Sequence, residues 1–329
     1  MSWWQPELFK NKIPYLKKRV EIIYQIREFF NSRDYLEVET PALQISPCME
    51  PHLQAFKTEH LGEEIYLHTS PEFAMKKLLV AGLPKIYQIS KTFRNEHQSS
   101  LHSPEFSLLE WYQTGLSYKD MMQETMALLR HLAKDKLKYK NLECDVSEEW
   151  EVITFVEALK KYADVDVSNN LQDLEYIKIE AQRIGTYISP SDDWDNAVLK
   201  IFMDKVEPNI GAPVPAIICD YPISMAALAR AKPEDERFAE RFEVYICGIE
   251  LCNAFGELTD AKIQRERFEA DVKKRKELYG QDYPIDEDFL KAIEFGLPEC
   301  SGNALGVDRL VMLLTGAEDI TSVQAMNAG

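Results

Sequence analysis

The sequence predicts an α+β fold, and two observations indicate this class. Residues 86–89 alternate loosely and residues 106–112 alternate with period two, as in strands, and the polar stretch 95–104 joins these segments as a long hairpin loop. Elsewhere apolar residues recur at helical spacing, as at 22–30, and residues 118–185 are rich in Lys, Glu, Leu and Ala. Antiparallel strands combined with separate helical segments are typical of α+β proteins.

Length and composition favour a single domain over residues 1–329, because no linker rich in Pro, Gly and Ser divides the chain. We predict that residues 118–185 are mainly helical and form either an insertion or a layer packed at the edge of the sheet. No run of apolar residues is long enough for a membrane span. Residues 1–6 lack the apolar core of a signal peptide, so we expect a cytoplasmic protein without membrane contact. The six cysteines include no Cys-x-x-Cys pair, which argues against a zinc site or a disulfide framework.

The return strand of the hairpin places Phe106, Leu108, Glu110 and Tyr112 on one face. A carboxylate and a phenol beside apolar side chains could bind a cationic group of a ligand. The alternative is an ordinary half-buried strand with one hydrogen-bonded glutamate. Upstream, the Ser-Pro-Glu-Phe sequence at 70–73 predicts the start of a helix, because proline is favoured in the first turn.

Two glutamates, Glu243 and Glu250, could hold Mg²⁺, because magnesium usually takes one or two carboxylates and completes its shell with phosphate oxygens and water. The alternative is a pair of solvated surface acids, which a chain of net charge −17 has in excess. Directly afterwards, alternation puts Asn253, Phe255 and Glu257 on one face of a predicted strand.

The sequence Gly-Asn-Ala-Leu-Gly-Val-Asp-Arg at 302–309 precedes an apolar run at 310–314. This pattern predicts a glycine-rich turn into a helix that carries Arg309 at its start. Glycine lets the backbone approach a ligand closely. A helix start and a guanidinium both favour a nucleotide phosphate. The alternative is a simple tight connection.

Taken in order, these pieces resemble the catalytic core of class II aminoacyl-tRNA synthetases, specifically the lysyl branch. The first class motif resembles residues 20–41, the second Phe-Arg-Asn-Glu at 93–96 with its hairpin, and the third residues 302–309. The lysyl-specific segments resemble Ser-Pro-Glu at 70–72, Glu-Trp-Tyr at 110–112 and Asn-Ala-Phe-Gly-Glu at 253–257. The resemblance covers nearly the whole chain and implies an antiparallel β-sheet flanked by helices.

The resemblance also implies that an amino acid reacts with ATP, with Mg²⁺ as cofactor, to give an aminoacyl adenylate. Arg94 and Arg309 would be catalytic, and Glu243 and Glu250 would bind the metal. The implied ATP-binding residues are Arg94, Asn95, Glu96, His102, Ser103, Phe106, Glu243, Glu250, Leu251, Gly306 and Arg309. The implied amino-acid-binding residues are Ser70, Pro71, Glu72, Glu110, Tyr112, Asn253, Phe255, Glu257 and Ala304.

Among these, the resemblance implies that Glu257 and Tyr112 take the ε-ammonium of a lysine-type substrate. Glu72 and Glu110 would hold its other amino group. Where lysyl-tRNA synthetases carry a glycine in the third motif, this chain has Ala304. Its methyl group would occupy space near the α-amino end of the bound amino acid, which favours a lysine isomer with a displaced amino group. The alternative is neutral drift at this position.

Bacterial lysyl-tRNA synthetases carry an anticodon-binding barrel before the first motif, whereas this chain reaches that motif within about twenty residues. The net charge of −17 also disfavours tRNA, since cationic patches drive binding to phosphate backbones. Free-standing cores of this kind resemble ligases that attach (R)-β-lysine to elongation factor P. The expected partners are therefore that factor and lysine or β-lysine. A homodimer is expected, because class II cores usually pair through the first motif.

Three other interpretations stay open. A compact lysyl-tRNA synthetase would need an RNA-binding surface. A relative of asparagine synthetase A would need an aspartate pocket, against which Glu257 and Tyr112 argue. A paralogue that only binds ligands would be expected to have lost Arg94, Glu250 or Arg309. Because all three are present, the sequence predicts an enzyme.

Overall fold

A computed structural model describes residues 4–50 and 52–326. Residues 1–3, which belong to the N-terminal segment in which no signal peptide is predicted, lie outside the described residues. In chain order the α-helices are α1 (Pro6–Phe9), α2 (Ile13–Asn31), α3 (Glu72–Val80), α4 (Tyr118–Leu132), α5 (Phe155–Ala158), α6 (Leu174–Ile184), α7 (Trp194–Ile201), α8 (Ala261–Tyr279), α9 (Glu287–Gly296), α10 (Val307–Thr315) and α11 (Ile320–Val323). The strands are β1 (Leu36–Glu37), β2 (Leu43–Gln44), β3 (Lys57–His60), β4 (Glu63–Leu67), β5 (Lys85–Phe93), β6 (Glu105–Thr114), β7 (Leu137–Tyr139), β8 (Leu142–Cys144), β9 (Glu151–Thr154), β10 (Ala216–Pro222), β11 (Ala231–Lys232), β12 (Asp235–Ile246), β13 (Ile249–Gly256) and β14 (Cys300–Gly306). Two π-helices (Leu159–Ala163 and Phe202–Val206) and two 3₁₀ turns (Glu207–Asn209 and Ile223–Met225) complete the regular structure of the described residues.

The central sheet has the strand order β1-β5-β6-β14-β13-β12-β10-β9, and β11 pairs with β12. Every pair from β5 to β10 in this order is antiparallel. The outermost pairs, β1 with β5 and β9 with β10, are parallel. The predicted α+β class is confirmed, and the sheet is antiparallel except at its two edges. Separate from it are the small sheet β2-β4-β3 and the hairpin β7-β8.

Helices cover both faces of the central sheet. Helices α2, α4 and α10 pack on the face that carries Tyr87 and Trp111. The buried positions of α2 are those that its helical spacing predicts: Ile22, Ile26, Phe29 and Phe30. Helices α3, α8 and α9 pack on the opposite face, which carries Ile86 and Tyr112. None of the helices in the described residues is long and apolar enough to cross a membrane.

Segment 118–185 is less helical than predicted. It contains α4, α5, α6 and a π-helix, but also the β7-β8 hairpin and strand β9. Strand β9 pairs with β10 at the edge of the central sheet, so the segment belongs in part to the core of the fold. The β-branched residues Val152, Ile153 and Thr154 favour this strand, but a four-residue run within a stretch rich in Lys and Glu gives a weak signal.

The prediction of a glycine-rich turn at 302–306 is wrong, because these residues belong to strand β14. Helix α10 begins directly afterwards, with Gly306 at its N-cap and Arg309 in its first turn. A Cβ atom at Gly302 would overlap the ring of Tyr112 and meet the carboxylate of Glu257. The absent side chain of Gly302 therefore makes room for two protein side chains.

Candidate active site

A cavity of about 380 Å³ opens on the sheet face that carries Phe106, Leu108 and Glu110. Strands β6, β14, β13 and β12 lie side by side beneath it. Most of the predicted site residues line this cavity: Ser70, Glu72, Arg94, Glu96, His102, Ser103, Phe106, Glu110, Glu243, Glu250, Leu251, Asn253, Phe255, Ala304, Gly306 and Arg309. The fold thus brings together segments that lie far apart in the sequence.

Pro71, Asn95, Tyr112 and Glu257 were also predicted to contact ATP or amino acid, but they do not line the cavity. Pro71 is the N-cap residue of α3. The backbone N–H of Asn95 donates to the Gln54 carbonyl at 2.7 Å. Tyr112 and Glu257 are buried behind Gly302. These residues therefore lie next to the cavity rather than on its wall.

One end of the cavity holds hydrogen-bond donors that the protein leaves free. The guanidinium carbon of Arg94 lies 5.2 Å from the ring centroid of Phe106. The Arg94 Nε and the Ser103 Oγ are buried and have no hydrogen-bond partner in the protein. Buried donors without partners are costly, so this end suits an anionic ligand that accepts their hydrogen bonds.

Arg309 is held at the same end by three groups from two segments of the chain. Its Nη1 donates to the Glu250 carbonyl at 2.7 Å, and its Nε donates to the Leu101 carbonyl at 3.4 Å. Its Nη2 lies 2.9 Å from His102 Nε2. Burial and the two neighbouring arginines, Arg309 and Arg94, lower the pKa of His102 to about 4. His102 is therefore neutral at pH 7, and its Nε2 accepts from Arg309.

The two predicted metal-binding glutamates lie on the adjacent strands β12 and β13. Glu243 is buried and accepts from the hydroxyls of Tyr221 and Tyr245, at 2.5 and 2.7 Å. Burial and the neighbouring Glu243 raise the pKa of Glu250. Glu243 is thus not a solvated surface acid. In the part of the chain that the structure describes, no group of three or more His, Cys, Asp and Glu side chains is placed to hold a metal. Two carboxylates beside an anion site fit Mg²⁺ that is shared with phosphate.

The other end of the cavity is lined by buried carboxylates. Glu110 accepts from Ser70 Oγ at 2.6 Å and from the Tyr112 hydroxyl at 2.9 Å. Burial, reinforced by the negative charge of Glu72, raises the pKa of Glu110 to about 8. A bound cation would favour the ionised form of this carboxyl group, whose ionisation burial opposes.

Lys76 bridges the other two carboxylates at this end. Its Nζ lies 2.5 Å from Glu72 Oε1 and 2.5 Å from Glu257 Oε2. Burial would lower the pKa of Lys76, but Glu257 and Glu72 outweigh it and raise that pKa. The predicted partner of a substrate ammonium, Glu257, is thus already paired with a lysine of its own chain. Its other oxygen, Oε1, has no hydrogen-bond partner in the protein.

Ala304 lies on the central strand between two predicted amino-acid-binding residues, Glu110 and Asn253. On β14 it pairs in register with Glu110 of β6 on one side and with Asn253 of β13 on the other. It also lines the cavity. The methyl group therefore occupies the floor beside the carboxylate end.

This arrangement of strands and motifs agrees with comparison of the sequence with known proteins. Residues 9–327 match the family described as tRNA synthetases class II (D, K and N). The chain belongs to this class II synthetase family. It is 41% identical, over 333 residues, to the elongation factor P–(R)-beta-lysine ligase of Vibrio atlanticus strain LGP32, and the match covers 98% of each chain. The ligases of the same name from Vibrio cholerae and Proteus mirabilis are also 41% identical, with 98% of this chain and 97% and 96% of theirs covered.

The cavity of this class II synthetase core also contains residues that were not predicted from the sequence. Arg241, Tyr245 and Glu207 line it, and burial and the nearby glutamates raise the pKa of Glu207 to about 7. Period-two alternation along β12 places Arg241 and Tyr245 on the face of Glu243, so that pattern could have found them. Glu207 lies in a 3₁₀ turn after a π-helix, where no sequence pattern marks it.

Proposed function

We propose that this protein is an ATP-dependent, AMP-forming ligase. It activates (R)-β-lysine, and α-lysine weakly, as an adenylate and transfers the aminoacyl group to the ε-amine of a lysine on elongation factor P. The proposal combines class II membership, the printed names of relatives that match over nearly their whole length, and the charge of the cavity.

The observation that carries the substrate class is the charge balance at the carboxylate end. Three carboxyl groups, Glu72, Glu110 and Glu257, lie around one lysine, Lys76, and when all three are ionised, three minus one leaves two negative charges. A lysine isomer has two ammonium groups, which match this excess. The buried acids would otherwise have to stay protonated or pay for desolvation.

In the first step a carboxylate oxygen of the amino acid attacks the α-phosphorus of ATP. The bond from that phosphorus to the pyrophosphate oxygen breaks, which yields the aminoacyl adenylate and pyrophosphate. Arg94 and Arg309 would hold the phosphates and stabilise the charge that develops there. Phe106 offers a ring for the adenine to stack on. Glu243 and Glu250 would hold Mg²⁺, which supplies charge neutralisation on the phosphates.

In the second step the amine of an acceptor lysine attacks the carbonyl carbon of the adenylate. The carbon–oxygen bond to phosphate breaks, AMP leaves, and the amine loses a proton as the amide forms. The relatives' names supply the acceptor, elongation factor P. The net charge of −17 is a further reason to prefer a protein acceptor over tRNA.

Three further expectations belong to this proposal. The protein acts in the cytoplasm, where its acceptor serves translation. The chain forms a single catalytic domain. It pairs as a homodimer through α2, on which Val20 and Tyr24 expose 68% and 62% of their surface.

The test is intact-mass analysis of elongation factor P after incubation with this protein, ATP, Mg²⁺ and each lysine isomer. We expect the mass of one lysyl group to be added, faster with (R)-β-lysine than with α-lysine, and not with the Arg94→Ala variant. A parallel assay of lysine attachment to tRNA addresses the alternative enzyme. Attachment to tRNA with an unmodified elongation factor P would overturn the proposal.

A further inference from the structure

Arg241 joins the two halves of the candidate site. It lies on β12, and its side chain is only 16% exposed. Its Nη2 donates to Glu243 Oε1 at 2.6 Å, and its Nε donates to Asn253 Oδ1 at 3.2 Å. Its Nη1 donates to the Met225 carbonyl at 2.6 Å. One guanidinium thus contacts a predicted metal ligand and a predicted amino-acid contact.

The planar face of the Arg241 guanidinium also lies close to two aromatic rings. Its carbon lies 4.5 Å from the ring centroid of Tyr221 and 5.8 Å from that of Phe255. Three acceptors in different directions together with an aromatic face suit a planar fork of donors, which lysine cannot reproduce. Because each of its three nitrogens donates to a protein acceptor, Arg241 is held in place and can orient its neighbours.

The contact with Arg241 determines which way the Asn253 amide points. Arginine has only donors, so the Asn253 atom that faces its Nε must be the oxygen. The NH₂ group of the same amide is then left to donate. Asn253 lines the cavity beside Ala304, its partner in register on β14. The wall at this point therefore offers a donor to an oxygen atom of the bound ligand.

We propose that Arg241 is a positioning residue that fixes the Asn253 amide with its NH₂ group toward the bound amino acid. Arg241 determines amino-acid affinity without touching the substrate. The inference rests on the proposed function, because it takes the occupant of this part of the cavity to be an amino acid with a carboxylate. The positive charge of Arg241 lies against Glu243. Removing that charge therefore does not weaken the attraction of the Glu243 carboxylate for Mg²⁺.

The test compares Arg241→Gln with Arg241→Lys and with Arg237→Gln, a matched control on the same strand whose side chain is 62% exposed. Calorimetry measures the affinity for (R)-β-lysine and α-lysine in the complex with α,β-methylene ATP. It also measures the Mg²⁺ affinity of that complex. In Arg241→Gln we expect the affinity for both isomers to fall about tenfold or more, with Mg²⁺ affinity unchanged or higher. Arg241→Lys should retain Mg²⁺ affinity but should not restore amino-acid affinity.

A second variant tests the inference with Arg241 in place, should Arg241→Gln fail to fold. In Asn253→Asp the oxygen that accepts from Arg241 is kept, while the donor is replaced by an acceptor. We expect amino-acid affinity to fall at least as much as in Arg241→Gln. Unchanged amino-acid affinity in either variant, or a joint fall of amino-acid and Mg²⁺ affinity, would overturn the inference. If the wild-type protein bound the ATP analogue but neither isomer, the proposed function itself would fail instead.

Discussion

The two ends of the cavity differ in how far the protein satisfies its own polar groups. At the arginine end, Arg94 Nε and Ser103 Oγ are buried without partners. At the carboxylate end, Glu110 is hydrogen-bonded to Ser70 and Tyr112, and Lys76 bridges two more glutamates. A ligand at the arginine end accepts hydrogen bonds from donors that have no protein partner, whereas a ligand at the carboxylate end competes with partners within the protein. Substitution of a group without protein partners at the first end should therefore affect turnover with little effect on stability, whereas substitutions at the second end should affect both affinity and stability.

The largest expected effect is that of Arg94→Ala at the arginine end. Because Arg94 Nε has no protein partner, the substitution should leave the melting temperature nearly unchanged. It should reduce ATP–pyrophosphate exchange by 10² to 10³-fold or more, as expected when a group that stabilises developing charge is removed. Arg309→Ala should be equally inactive but less stable, because it breaks bonds to the Glu250 and Leu101 carbonyls.

The control for both variants is Arg237→Ala, since Arg237 is exposed and pairs with Asp235 on its own strand. It should exchange pyrophosphate like the wild type. Exchange within a few-fold of wild type in Arg94→Ala would remove Arg94 from the active site, and the contrast between the two ends would lose its basis.

At the carboxylate end, Glu257→Gln should weaken the binding of both lysine isomers and lower the melting temperature. Removing one partner of a buried ion pair typically costs about 3–5 kcal/mol, and the milder change to glutamine should cost less. Lys76 keeps Glu72 as a partner, so the variant should still fold. Calorimetric titration with each isomer measures the loss, with the exposed Glu59→Gln as control. Unchanged affinity would mean that the substrate ammonium groups are recognised without Glu257.

Glu110 gives the carboxylate end a pH dependence. Burial is the main cause that raises the pKa of Glu110 from 4.5 to about 8, so a bound cation must displace its proton. Affinity for a lysine isomer should therefore rise about tenfold from pH 6.5 to 7.5 and level off above about 8. The same raised pKa contributes stability that is present below about 4.5 and is lost as the pH rises to 8.

Calorimetry in buffers of different ionisation enthalpy should record proton release on binding. In Glu110→Gln, both the proton release and the dependence of affinity on pH should diminish. Glu207 has a pKa of about 7 and also titrates in this range, so the difference between wild type and variant is the relevant quantity. An identical pH profile in the two proteins would show that Glu110 does not face the substrate ammonium.

The same contrast between the two ends explains what could be predicted from the sequence. Alternation located the β5-β6 hairpin, because such a pattern depends on local spacing, whereas the residues of the class motifs that line the cavity were named by resemblance to class II synthetases. The pairing of Glu257 with Lys76 could not be predicted, since it joins the end of β13 to α3 across the fold. The prediction that Gly302 lies in a turn was wrong for a related reason. The missing side chain of Gly302 leaves space for the ring of Tyr112 on the neighbouring strand, and no local pattern in the sequence shows such a contact between strands.

The smallest expected effect is that of Ala304→Gly, which alters only the floor beside the carboxylate end. Ala304 lies in register between Glu110 and Asn253, so its methyl group is placed to influence where the amino groups of the substrate lie. Its removal restores the space that lysyl-tRNA synthetases have, and activation of α-lysine should rise relative to (R)-β-lysine. One methylene-scale change in a pocket is worth about 1–3 kcal/mol, and a single methyl group should fall at the lower end.

The measurement is the ratio of kcat/KM for the two isomers in wild type and variant, with KM for ATP as the internal control. The glycine also loosens β14, so a common loss for both isomers leaves the ratio as the only informative quantity. A ratio that stays the same, or moves toward β-lysine, would assign the choice of isomer to the carboxylates rather than to the floor between them.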